Sequence, residues 1–87
     1  MRWAWTEEKN RTNKLDHGIS FEMAKLVFDD PLAMTRHDPH PDGGRWQTVG
    51  LIGEVKTRAD TGEEVGRIIS ARQATTHETR AYEEGDF

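Results

Sequence analysis

The sequence predicts an α+β domain spanning 1–87: two N-terminal helices, an antiparallel sheet of three to four strands and a C-terminal helix. Three observations carry this reading. Helix caps and helical spacing are concentrated between Thr6 and Phe28. From Leu32 the chain changes to short strand-like runs separated by Gly, Pro and Asp. Thr75-Thr76-His77-Glu78 then has the form of a capping box that opens a last helix.

Arg2-Trp3-Ala4-Trp5 is an aromatic-rich strand or extended arm. Thr6 can cap a helix with Glu7 and Glu8 at its positive end, and Gly18 ends it after Lys14 and His17. Asn10, Asn13, Lys14 and His17 follow the i, i+3, i+4, i+7 spacing normally used for a buried stripe, so this face should meet something polar. A second helix runs from Ser20 to about Asp29, with Phe21, Ala24 and Phe28 facing a core, and Pro31 stops it. Leu32 to His37 and Arg45 to Gly53 read as strands, with Gly50 marking a bulge; Glu54 to Arg58 continues the second or pairs with it. The loop 38–44 and the turn 60–64 are rich in Asp, Pro and Gly. A strand over 66–72 precedes the last helix, Thr76 to about Glu84, and the helices should cover one face of the sheet.

Composition bounds the function. Apolar residues make up 33% and charged residues 32%, with a mean hydropathy of -0.89. A chain of this size buries only about 60–65% of its unfolded surface, so a thin core that gains from a partner is expected. No cysteine is present, which removes disulfides and thiolate metal sites. The net charge of -4 argues against a general DNA-binding surface while leaving room for a local basic patch. The absence of a long apolar run points to a cytoplasmic protein with no membrane span. His37, Asp38, His40 and Asp42 could ligate a metal, but two prolines stiffen that loop and no ligand is supplied from elsewhere, so no metal site is expected.

The stretch Gly66 to Thr75 is the most informative. It reads as a strand that ends in a cation and leads into a capped helix, a place suited to phosphate. Strict alternation puts Ile68, Ser70 and Arg72 on one face and Arg67, Ile69 and Ala71 on the other. Arg72 then reads as a fixed but exposed arginine whose loss would cost folding about 1 kcal/mol or less.

Taken together, Lys9-Asn10, Asn13-Lys14, His17-Gly18, Ser20-Phe21-Glu22, Val27 to Pro31, Arg45-Trp46, Arg67 to Arg72, Ala74-Thr75, Glu78 and Tyr82 resemble the BrnT family of type II toxins. The chain departs from the family at 54–58, which is short and polar for the family's apolar strand, and at Thr79, where an arginine is usual. The resemblance implies a small RelE-like, metal-independent ribonuclease without cofactor. It also implies neutralisation by a BrnA-like antitoxin with a ribbon-helix-helix domain, in an even-numbered hetero-oligomer that reaches operator DNA only through the antitoxin. The alternative is a catalytically inactive toxin that binds an antitoxin as a co-repressor.

Metal-free RNA cleavage needs a base for the 2′-hydroxyl, cations on the developing phosphorane and an acid for the leaving oxygen. Arg72 and Arg67 are the candidate cations and His17 the candidate acid or base. Glu78 is a candidate base or simply a helix cap. Tyr82 is a proton donor, a stacking ring or a packing residue. Lys9, Asn13, Lys14, Arg45 and Arg80 are expected to contact RNA.

Overall fold

The computed structural model describes residues 2–39, 41, 43–59 and 65–86. The order is β1 (Arg2–Ala4), α1 (Glu7–His17), α2 (Phe21–Ala24), a 3-10 helix (Lys25–Asp29), β2 (Met34–His37), β3 (Arg45–Val49), β4 (Glu54–Ala59), β5 (Val65–Arg72) and α3 (Thr76–Glu84). The α+β class holds. The sheet, however, has five strands in the order β1-β5-β4-β3-β2 and is mixed, because β1 runs parallel to β5 while the other pairs are antiparallel. The expected second helix is one α turn that tightens into a 3-10 helix before Pro31. The turn 60–64, together with His40 and Asp42, lies outside the described residues. Among the described residues no helix is long and apolar enough to cross a membrane.

Local chemistry sets the helix ends. The Thr6 hydroxyl accepts from Lys9 N at 3.2 Å, and Gly18 takes the left-handed conformation at φ 76°, where its N–H reaches Lys14 O. Ser20 caps α2 in the same way, accepting from Met23 N at 3.1 Å. The polar stripe on α1 does meet polar groups, but they belong to the protein itself. Asn10 accepts from Phe21 N at 2.7 Å and donates to Glu22 at 2.9 Å. Asn13 donates to Ala71 O at 2.8 Å and Ile19 O at 2.9 Å, and accepts from Ala71 N at 3.1 Å. β1 pairs only with the first part of β5, so the Asn13 amide stands in for a strand partner where β1 has ended.

The core is Ile19, Phe21, Ala24, Val27, Val55, Ile68 and Ala71, with Trp3, Trp5, Phe28 and Ala33 packed against it. Strict alternation along β5 fails. Lys56 pairs with Ser70 but Thr57 pairs with Ile68, so Ile69 is an extra residue in a bulge. The bulge resets the phase, so that Ile68 and Ala71 both face the core while Arg67, Ser70 and Arg72 share the opposite face. The helices divide between the two faces. α1 and α2 cover the core side, whereas α3 reaches Gln47 on the other. Gly50 forms no bulge; it opens the β3–β4 turn by donating to Gly53 O at 3.0 Å, and a Cβ there would strike Val27. β4, short and polar as it is, pairs along its length with both neighbours.

Candidate functional site

Residues opposite each other in register share a sheet face, so the pairing places every cation of β2–β5. Val49, Glu54 and Arg72 form one cross-strand row, Gln47, Lys56 and Ser70 the next with Arg36 at its edge, and Arg45, Arg58 and Arg67 the third. All six Lys and Arg residues of β2–β5 (Arg36, Arg45, Lys56, Arg58, Arg67 and Arg72) therefore lie on the face away from α1 and α2. Arg45, Arg58 and Arg67 thus stand opposite one another in register, an arrangement that costs a sheet stability unless counter-charges offset it. Of these residues, sequence reasoning selected Arg45, Arg67 and Arg72 and missed Arg36, Lys56 and Arg58. The i, i+2 spacing of Lys56 and Arg58 was a visible signal.

At the α3 end of this face, Arg72 is held by carboxylates. Its guanidinium meets Glu78 Oε1 at 2.8 Å and Oε2 at 2.9 Å, and Glu54 Oε2 at 2.9 Å. Gln47 donates to Glu54 at 3.0 Å and to Glu78 at 3.2 Å, and accepts from Arg36 at 2.9 Å. The capping box forms as expected: Thr75 N donates to Glu78 Oε1 at 2.9 Å, and Glu78 N donates to the Thr75 hydroxyl at 3.1 Å. Four donors thus occupy the carboxylate of Glu78, which leaves it no ready site for a substrate proton. Burial pushes this carboxyl up, but the hydrogen bonds from Arg72 and Thr75 outweigh burial and hold it below the usual range. Glu54 is 1% exposed, and its Oε1 is buried without a hydrogen-bond partner among the described residues.

The other candidates are spread out. His17, exposed at the end of α1, lines one shallow depression with Arg72, Gln73 and Thr75. Lys9 lies farther along α1 in the adjoining hollow, which His17 also borders. Lys14 opens onto a separate hollow beside Arg11, and Arg80 sits on the outside of α3 beside Thr76 and Glu83. Asn13 is not a surface contact. It is 7% exposed, and its amide is committed to the backbone. Tyr82, one turn past Glu78 on α3, donates to Asp30 Oδ2 at 2.8 Å. Asp30 also accepts from Leu32 N and Leu51 N, both at 2.9 Å. The hydrogen bond to Asp30 raises the Tyr82 phenol above its ordinary value, which makes it a poorer proton donor. Among the described residues, no three His, Asp or Glu side chains are grouped to hold a metal.

With that geometry in place, comparison with known proteins adds a family. A family model described as the ribonuclease toxin BrnT of type II toxin-antitoxin systems matches residues 5–78. The chain belongs to the BrnT family. Among curated proteins none matches closely. This BrnT chain is therefore the toxin side of a toxin-antitoxin pair, with an antitoxin as its partner. The matched span runs from Trp5 to Glu78 and so includes His17, Arg72 and the whole cationic sheet face.

Proposed function

We infer that the chain is a metal-independent endoribonuclease that holds single-stranded RNA across the cationic sheet face. The observation that carries this is the one-sided array of Arg36, Arg45, Lys56, Arg58 and Arg67, which fits phosphates rather than a neutral ligand. His17 takes the 2′-hydroxyl proton as that oxygen bonds to phosphorus. The P–O5′ bond breaks, and solvent protonates the leaving oxygen. Arg72, fixed by Glu54 and Glu78 beside His17, supplies positive charge that needs little reorganisation. Lys9 and Arg80 extend the contact with RNA from the two helices.

A BrnA-like antitoxin with a ribbon-helix-helix domain neutralises this activity in an even-numbered hetero-oligomer, and operator DNA is bound through the antitoxin. One observation favours a second reading: the guanidinium of Arg72 and the carboxylate of Glu78 already satisfy each other, as in an inactive chain that only binds its partner. The test is cleavage of a defined RNA by the chain freed of antitoxin, with excess chelator present. Cleavage that survives chelator and is lost in His17→Ala supports the ribonuclease; an intact RNA supports the second reading.

A further inference from the structure

We propose that the groove on the α1 and α2 side of the sheet is a slot for one unstacked nucleobase of a bound RNA strand. One wall is Trp3, stacked on Phe28 with ring centroids 4.0 Å apart and planes at 14°. Trp3 lies over Gly66, where a Cβ would collide with the indole, so glycine lets this wall sit against the sheet. The other wall is Trp46, which is 43% exposed and braced edge-on by His37 at 5.1 Å. Thr57, on the strand between them, and Thr35, whose hydroxyl is 2.8 Å from that of Thr48, form the floor. The space is ≈ 250 Å³.

Two features select a base over other occupants. Thr57 is 5% exposed, and its side chain lines the groove. A hydroxyl both donates and accepts, so it suits the mixed edge of a heteroaromatic ring entering between aromatic side chains. Arg58 lines the end of the groove while its register places it in the arginine row of the opposite face. A strand lying on that row can therefore keep its phosphate at Arg58 while its base turns into the slot. A docked protein would need roughly 800 Å² on each partner, far more than a slot with room for one ring system. The proposal rests on the ribonuclease reading for the identity of the strand, but its chemistry is tested separately.

The test uses the full chain and follows tryptophan fluorescence during titration with adenosine and uridine 5′-monophosphates, with ribose 5-phosphate as the base-free control. Anisotropy of a 2′-O-methylated oligonucleotide, which cannot be cleaved through its 2′-hydroxyl, gives strand affinity. Both monophosphates should quench and the control should not. Trp46→Ala should weaken oligonucleotide binding about tenfold or more and Thr57→Val about fivefold, with unchanged circular dichroism. Absence of quenching, or parental affinity in both variants, overturns the slot. So does loss of antitoxin binding in Trp46→Ala with RNA binding unchanged, which would make the groove a protein dock. Quenching by the monophosphates in a chain that cleaves no RNA would sink the ribonuclease reading and leave the slot standing.

Discussion

Arg72 grips both oxygens of Glu78, at 2.8 and 2.9 Å, and the same guanidinium reaches Glu54 at 2.9 Å. This ties the last residue of β5 to the first turn of α3 and neutralises a carboxylate that is 1% exposed. Arg72 is therefore a structural cation as well as a candidate catalytic one. The expectation of a nearly silent alanine substitution does not survive.

Arg72→Ala should destabilise the fold by roughly 2–4 kcal/mol. Removing one partner of a buried pair typically costs about 3–5 kcal/mol, and the figure is reduced because the Arg72 side chain is 33% exposed and partly screened by water. Urea unfolding of the parent, Arg72→Ala and the double variant Arg72→Ala/Glu54→Gln measures it. The double variant should recover part of the loss, because the charge on the 1% exposed Glu54 is then gone, while Glu78 keeps its hydrogen bonds from Gln47 and Thr75 N. A single variant as stable as the parent would rule this account out.

Asn13→Ala should cost about 3 kcal/mol or more. It strands the N–H and C=O of Ala71 and the C=O of Ile19, and each unsatisfied buried group costs roughly 1–3 kcal/mol. Hydrogen exchange at the Ala71 amide should accelerate before the rest of β5 opens. Unchanged exchange at that amide would mean that water or a neighbouring group replaces the side chain.

The caps, the α+β order and the C-terminal helix were legible because each is written in contiguous residues: Thr6 with Gly18, Ser20, and Thr75 with Glu78. The faces of β5 were not legible. The bulge at Ile69 depends on how β5 pairs with β4, and nothing in Arg67-Ile68-Ile69-Ser70 announces it. The same register hid the cation array, since Arg45, Arg58 and Arg67 come together only when three strands are aligned. Asn13 was read as a surface contact because polar residues are usually exposed. Its inward orientation follows from β1 being too short to complete the edge of β5.

Stability should fall on acidification below about pH 4.5. Asp30 is held below its ordinary 3.8 by the N–H groups of Leu51 and Leu32 and by Tyr82, and Glu78 lies below its ordinary 4.5. Carboxyls depressed in the folded state contribute stability above their unfolded values, and that stability is lost as pH falls through the folded ones. Tyr82 is raised above 10.0, so its contribution is present below that pH and disappears as pH rises through the folded value. Melting temperature against pH should thus be flat between about pH 5 and 9 and decline on both sides. In Tyr82→Phe the alkaline decline should shrink while most of the acid decline remains.

The arginine row predicts opposite effects on folding and binding. Arg58 stands between Arg45 and Arg67 in register, and like charges opposite one another typically cost a sheet about 0.2–1 kcal/mol. Arg58→Thr should therefore raise stability by a few tenths of a kcal/mol, helped by a β-branched residue in a central strand. The same change removes a phosphate contact, so RNA affinity should drop and the slope of log K against log salt should become shallower by about 0.7. Arg80→Thr, on the outside of α3, relieves no cross-strand repulsion and should leave stability within about 0.5 kcal/mol of the parent. Thermal unfolding together with RNA titrations at several salt concentrations measures both quantities. A protein that keeps three arginines in a row for folding alone would lose stability in Arg58→Thr; one that keeps them for a polyanion would gain stability and bind RNA less well.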